Sequence, residues 1–191
     1  MKIAIFGGSF NPPHIMHKQI ALSLVNNKYV DKVIFVPTGS KYNKENLIEN
    51  KHRLNMLKIY CEYDERLEES DYELHGELKY TYQTLDHFKK IYPNSIISFV
   101  LGFDNLKNFK NWRNYEYILK TYQLLVVDRD DIDIQYLQDE FQEYLDNIVF
   151  TNIHPQDISS TKIRNDLKRL RYSDLVEPEV LEYILKNKLY I

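Results

Sequence analysis

Apolar runs alternate with amphipathic stretches along this chain, and that alternation predicts an α/β domain built on a parallel sheet. Two further observations support it. Lys2-Ile3-Ala4-Ile5-Phe6 is an apolar run that ends at Gly7-Gly8, ahead of a helical run from Ile20 to Val25. Val33-Ile34-Phe35-Val36 is apolar without alternation, as expected of a strand covered on both faces, and Pro37 stops it.

The elements follow in order. The first strand is Lys2 to Phe6, and the first helix runs from about His14 to Asn26. The second strand, Lys32 to Val36, leads into a polar loop, Thr38 to Glu49, which carries Lys41 and Lys44. Its polarity marks it as the segment expected to move. Asn50 to Tyr63 has helical periodicity, with Leu54, Leu57 and Ile59 apolar and Cys61 expected in the core. Leu67 to Glu77 reads as a short strand and a turn, and Thr81 to Tyr92 as a helix ended by Pro93-Asn94. Ser95 to Leu101 is a strand stopped by Gly102, with short helices following over Asp104 to Phe109 and Tyr115 to Leu119. Gln123 to Val127 and Asn147 to Phe150 are strands flanking an amphipathic helix, Ile134 to Leu145. Ser159 to Leu170 and Pro178 to Lys186 are the last helices. No repeat, low-complexity tract or linker divides the chain, so residues 1–191 are read as one domain.

Composition narrows the class. A chain of 191 residues can bury a sizeable core. Its 25 Lys and Arg against 28 Asp and Glu give a net charge of −3, and no basic field argues for a nucleic-acid partner. A small anionic ligand needs only local cations. The single cysteine forbids an internal disulfide and suits a reducing cytoplasm. No signal-peptide pattern and no membrane-length apolar run stand out, so no membrane partner is expected. The sequence leaves open whether the chain forms a homo-oligomer.

Chemistry-bearing residues gather where the strands end. Ligands of a parallel sheet bind outside the carboxyl ends of its strands, at the switch point. The loops after Phe6, Val36, Leu101 and Phe150 are therefore expected to line one site. After the first strand come Gly7 and Gly8, expected to allow positive φ and close approach of backbone N–H groups to a ligand. Pro12 and Pro13 hold the loop extended, and His14 and His17 lie three apart so that they face the same way. His-x-x-His alone is more often structural than catalytic. Here it sits at a helix start, where backbone amides and imidazoles suit a polyanionic phosphate.

The stretch Gly8-Ser9-Phe10-Asn11-Pro12-Pro13-His14-Ile15-Met16-His17 resembles the signature of the nucleotidyltransferases that share the (H/T)-x-G-H motif. It is most similar to the nicotinate-nucleotide adenylyltransferase branch, with Met16 where the wider superfamily usually has glycine. The resemblance implies a Rossmann-like doubly wound parallel sheet and extends over essentially the whole chain. A second string, Asp157-Ile158-Ser159-Ser160-Thr161-Lys162-Ile163-Arg164, resembles the family's Ile-Ser-Ser-Thr-x-(Ile/Val)-Arg motif. By itself it would be a capped helix with a surface arginine. In the family it holds the ATP phosphates.

The resemblance carries roles to individual positions. His14, His17 and Arg164 are the expected catalytic residues. Gly8, Ser9, Phe10, His17, Gly102, Asp104, Ser159, Ser160, Thr161 and Arg164 are the expected ATP contacts, with Asp104 toward the ribose. Lys41, Lys44, Thr81 and Trp112 are expected to take nicotinate mononucleotide, with Trp112 stacked on its ring. Three stretches depart from the family pattern: Thr38 to Lys44 replaces a Pro-x-Lys type sequence, Gln83 replaces an acid, and Asp128-Arg129-Asp130 replaces Arg-Pro-Gly. The implied reaction joins ATP to nicotinate mononucleotide, in the cytoplasm, with Mg²⁺ arriving on ATP and no resident metal. The alternatives are an adenylyltransferase with another acceptor (nicotinamide mononucleotide or phosphopantetheine) and a nucleotide-binding module without catalysis. A metal protein using His14, His17, His52 and His154 is a further class, without a closed ligand set.

Overall fold

The computed structural model describes residues 1–39, 47–127, 134–156 and 158–191. Six parallel strands form one sheet: β1 (Lys2–Gly8), β2 (Lys32–Pro37), β3 (Leu67–Glu69), β4 (Ile96–Gly102), β5 (Gln123–Val127) and β6 (Ile148–Phe150). Their order across the sheet is β3-β2-β1-β4-β5-β6. This is the doubly wound order, and the chain changes direction of travel between β1 and β4.

Among the described residues eight α-helices accompany them: α1 (Ile15–Asn26), α2 (Asn50–Cys61), α3 (Thr81–Ile91), α4 (Phe103–Lys107), α5 (Tyr115–Thr121), α6 (Ile134–Phe141), α7 (Ser160–Leu170) and α8 (Pro178–Lys186). Short 3₁₀ segments cover Tyr72–Leu74, Phe109–Asn111 and Gln142–Asn147. The last of these takes over where the sequence predicts that α6 continues to Leu145.

Successive strand residues point to opposite faces, so each strand feeds two cores. On one face Ala4, Val33, Phe35 and Val100 pack with Leu24, Leu57, Ile163 and Ile184 of α1, α2, α7 and α8. On the other, Ile3, Ile5, Ile34 and Phe99 pack with Leu85, Leu106 and Ile118 of α3, α4 and α5. The apolar run of β2 is thus buried on both sides, as its lack of alternation predicts. Cys61 lies in the first core, as expected, and burial pushes its thiol up to about 12.

The two glycines serve a different purpose from the one expected. Neither Gly7 nor Gly8 has positive φ. A Cβ at Gly7 would meet the Phe99 ring at 3.3 Å, and one at Gly8 would meet the Phe10 ring at 3.1 Å. They are small so that two aromatic rings can lie against the end of β1. The positive φ falls on Phe10, at 45°. A non-glycine residue held there costs of order 1 kcal/mol or more, and such residues gather at functional sites.

Candidate active site

The turn after β1 is built against three other elements. Phe10 is buried, with its ring edge-on to Phe6, Phe35 and His17 at 5.9, 5.6 and 5.0 Å. Those contacts hold its left-handed backbone. The Asn11-Pro12 peptide is cis. Below the turn, the guanidinium of Arg53 is fully buried and donates to Ser9 O at 2.9 Å, to Ile48 O at 3.3 Å and to Asn50 Oδ1. Among the described residues no carboxylate pairs with it, and burial pulls its pKa down to about 10. From the end of the chain, the Tyr190 hydroxyl donates to Asn11 Oδ1 at 2.7 Å.

The histidine pair follows. His14 is the N-cap of α1, outside the helix proper, and the Tyr60 hydroxyl donates to its carbonyl. The His14 and His17 rings are stacked, with centroids 3.7 Å apart and planes at 28°. The backbone N–H of His14 donates to Nδ1 of His17 at 3.2 Å. An N–H can only donate, so Nδ1 is the acceptor and the proton of the neutral ring sits on Nε2. Burial, then the adjacent His14, holds the His17 pKa well below the ordinary histidine value. His17 is therefore a neutral Nε2–H donor near pH 7.

Helix α7 closes this side. Ser159 is its N-cap and accepts from the N–H of Lys162 at 3.3 Å, as its sequence position predicts. Ser160 Oγ donates to Pro12 O at 3.2 Å, and Arg164 donates to Asn11 O at 2.9 Å and to Thr161 Oγ1 at 3.0 Å. These bonds join two motifs that lie about 150 residues apart in the sequence. Between the turn and the helix lies a cavity of about 310 Å³, lined by Ser9, Phe10, His17, Ser160, Thr161 and Arg164. It is bounded by hydroxyls, a neutral imidazole donor, a guanidinium and a helix N-terminus, a set suited to a polyphosphate.

A second cavity, of about 480 Å³, opens on the other side of the β1 turn. Gly8, Thr81 and Trp112 line it, together with Glu73, Tyr80 and Arg113. Tyr80, not Thr81, is the N-cap of α3, and its N–H donates to Gln83 Oε1 at 2.9 Å. That bond accounts for the glutamine at position 83, which completes half of a capping box. Trp112 is half-buried, tilted on Phe109 at 4.9 Å and edge-on to Phe99 at 5.8 Å. The Thr38 hydroxyl is buried at the cavity wall and has no hydrogen-bond partner among the described residues.

The sequence predicts one site; the structure has two adjoining cavities that share the β1 turn. Consecutive residues divide between them, Gly8 lining the second and Ser9 the first. Gly102 and Asp104 line neither cavity: Gly102 is the N-cap of α4, and Asp104 is exposed in its first turn. Lys41, Lys44, Arg129 and Asp157 lie outside the described residues. His52 is hydrogen-bonded through Nδ1 to the Tyr183 hydroxyl at 2.9 Å, and no group of three or more potential metal ligands occurs among the described residues. Arg53, Arg113, Glu73 and Thr38 were not singled out by the sequence. Only Arg113 carried a signal, as the neighbour of Trp112.

A doubly wound sheet with a phosphate-type cavity between its first turn and a late helix N-terminus defines a nucleotide-binding α/β protein of the nucleotidyltransferase class. Comparison with known proteins agrees. The profile of the family described as cytidylyltransferase-like matches residues 5–166. A Clostridium tetani protein named probable nicotinate-nucleotide adenylyltransferase is 36% identical over 198 residues, covering 99% of this chain and 98% of its own. One of the same name from Fusobacterium nucleatum is 38% identical over 191 residues, covering 98% of each. The solved structure of Plasmodium falciparum nicotinic acid mononucleotide adenylyltransferase complexed with NaAD superposes with a TM-score of 0.81 at 25% identity, covering 99% of this chain and 97% of that one. The chain belongs to the cytidylyltransferase-like family and, within it, to the nicotinate-nucleotide adenylyltransferases.

Proposed function

We propose that this chain transfers the adenylyl group of ATP to nicotinate mononucleotide, giving nicotinate adenine dinucleotide and pyrophosphate, a step of NAD biosynthesis. The observation that carries the reading is the pair of cavities meeting at the β1 turn. One has the donors for a triphosphate, and the other has an indole and a helix start for a pyridine ring. The reacting phosphorus then lies where the two meet, beside Gly8 and Ser9.

A phosphate oxygen of the mononucleotide attacks the α-phosphorus of ATP in line. The bond from that phosphorus to the bridging oxygen breaks, and pyrophosphate leaves with the electron pair. A phosphate oxygen is already nucleophilic, so neither a general base nor a covalent intermediate is required. The protein contributes position and charge stabilisation.

In this reading His17 donates from Nε2 to the phosphate oxygens as negative charge moves to the leaving group, and His14 beside it supports the same oxygens. Arg164 and the hydroxyls of Ser160 and Thr161 hold the β- and γ-phosphates. Ser9 and Phe10 shape the floor, and Ser159 caps the helix whose first turn points at the anion. Gly102 and Asp104 serve the nucleoside end. Thr81 and Trp112 hold the pyridine, and Lys41 or Lys44 meets a phosphate. No carboxylate lines the first cavity among the described residues, which suits Mg²⁺ held by the nucleotide phosphates with water and hydroxyl oxygens as its remaining ligands. When bound, the ion neutralises charge on the triphosphate. Among the described residues no helix is long and apolar enough to cross a membrane.

The test follows the label. With ATP labelled at the α-phosphorus and nicotinate mononucleotide, the label is expected in a dinucleotide; with γ-labelled ATP it is expected in pyrophosphate. Label released as AMP or inorganic phosphate would contradict the reading.

A further inference from the structure

Among the described residues, the second cavity is lined by one cation, Arg113, that the reaction scheme leaves unused. Arg113 follows Trp112 directly in the chain, lines the same cavity, and is exposed. Its guanidinium lies over the Tyr80 ring, 5.0 Å from the centroid. Tyr80 is the N-cap of α3 and immediately precedes Thr81, so Arg113 bridges the two elements that bound the ring subsite. Asn114, which follows it, has left-handed backbone at φ 58° and caps α5, fixing the turn from which Arg113 projects.

Arg113 has no ion-pair partner among the described residues. The carboxylic acid on the cavity wall, among the described residues, is Glu73, whose Oε1 accepts from Thr84 Oγ1 at 2.6 Å. Burial pushes the Glu73 carboxyl up to about 7, so near neutral pH it carries only part of a charge. The cavity therefore presents a full positive charge against an incomplete negative one. A guanidinium held over an aromatic face still has N–H donors in its own plane, in a fork that matches a carboxylate.

We propose that Arg113 is a specificity-determining residue, pairing with the carboxylate on the acceptor's pyridine ring and so favouring the acid over the corresponding amide. The inference rests on the reading of this cavity as the acceptor site. Its position beside Trp112 and Tyr80 places it at the ring end of the acceptor. The phosphate end is served by the β1 turn and the other cavity. An uncharged carboxamide offers the guanidinium one neutral oxygen in place of two charged ones, and loses most of the interaction.

The experiment compares kcat/KM for nicotinate mononucleotide and nicotinamide mononucleotide in the wild type, Arg113→Ala and Arg113→Lys. The acid-to-amide ratio is expected to fall about tenfold in the alanine variant and to recover in part with lysine, as for loss of one charge-assisted contact. Equal losses with both acceptors would make Arg113 a phosphate contact or a structural residue and overturn the inference. An unchanged ratio would overturn it too. A wild-type protein silent with both mononucleotides overturns the functional reading and this inference together. Wild-type turnover with an unmoved ratio overturns the inference alone.

Discussion

The backbone N–H of His14 donates to Nδ1 of His17 at 3.2 Å, and that bond decides where the His17 proton sits. With Nδ1 occupied as an acceptor, Nε2 is the donor of a ring that lines the first cavity together with Arg164. His17→Ala is expected to lower kcat/KM by about a thousandfold, the scale of losing one preorganised donor to a developing charge. His17→Gln, whose amide still donates from a similar distance, should retain more activity than alanine. Circular dichroism should show both variants folded. Near-normal turnover of a folded His17→Ala protein would remove this residue from the chemistry.

The same ring makes stability depend on acidity. In the folded protein burial and His14 hold the His17 pKa below its unfolded value, so the unfolded chain binds the proton first. The contribution is fully present above about pH 6.5 and is lost as pH falls below it toward the folded value. Thermal melts at pH 7.5 and 5.5 should show the wild type losing more stability on acidification than His17→Gln does.

Glu73 runs the other way. Its pKa is raised from 4.5 to about 7, so its stabilising contribution is present below pH 4.5 and is lost as pH rises toward 7. Glu73→Gln keeps an acceptor for Thr84 without the titration. The variant's stability relative to the wild type should therefore rise by about 2–3 kcal/mol between pH 4.5 and 8. Denaturant midpoints at three pH values measure this, and a difference independent of pH would contradict the account.

Arg53 holds the floor of the turn from beneath. Arg53→Met leaves Ser9 O, Ile48 O and Asn50 Oδ1 without their donor, which offsets the gain from removing a buried charge. The expected net cost is about 2 kcal/mol in a urea titration. Because Ser9 lines the first cavity, the KM for ATP should rise as well. Arg53→Lys should recover part of both.

These residues also mark what could be read in advance. The strands were legible because Val33 to Val36 is apolar without alternation and Ile97 to Leu101 is apolar but for Ser98, as expected of a sheet covered on both faces. His14, His17, Ser160 and Arg164 were legible because helix-start chemistry and family motifs coincide there. Arg53 was not, since its burial comes from the segment at Ile48 and from Ser9 folding over the first turn of α2. Nor was the left-handed backbone of Phe10: positive φ is ordinarily assigned to glycine, and Gly7 and Gly8 just before it drew the expectation. Tyr190 reaches Asn11 from 179 residues away, a distance no local pattern reports. The division of one expected site into two cavities depends on which side of the β1 turn each loop packs.

The most direct test of the account is pyrophosphate release by the purified protein with ATP and Mg²⁺, offered nicotinate mononucleotide, nicotinamide mononucleotide or phosphopantetheine in parallel. The account predicts rapid release with nicotinate mononucleotide, matched mole for mole by nicotinate adenine dinucleotide, and slower release with the amide. Release that is fastest with phosphopantetheine, or absent with every acceptor, would contradict it.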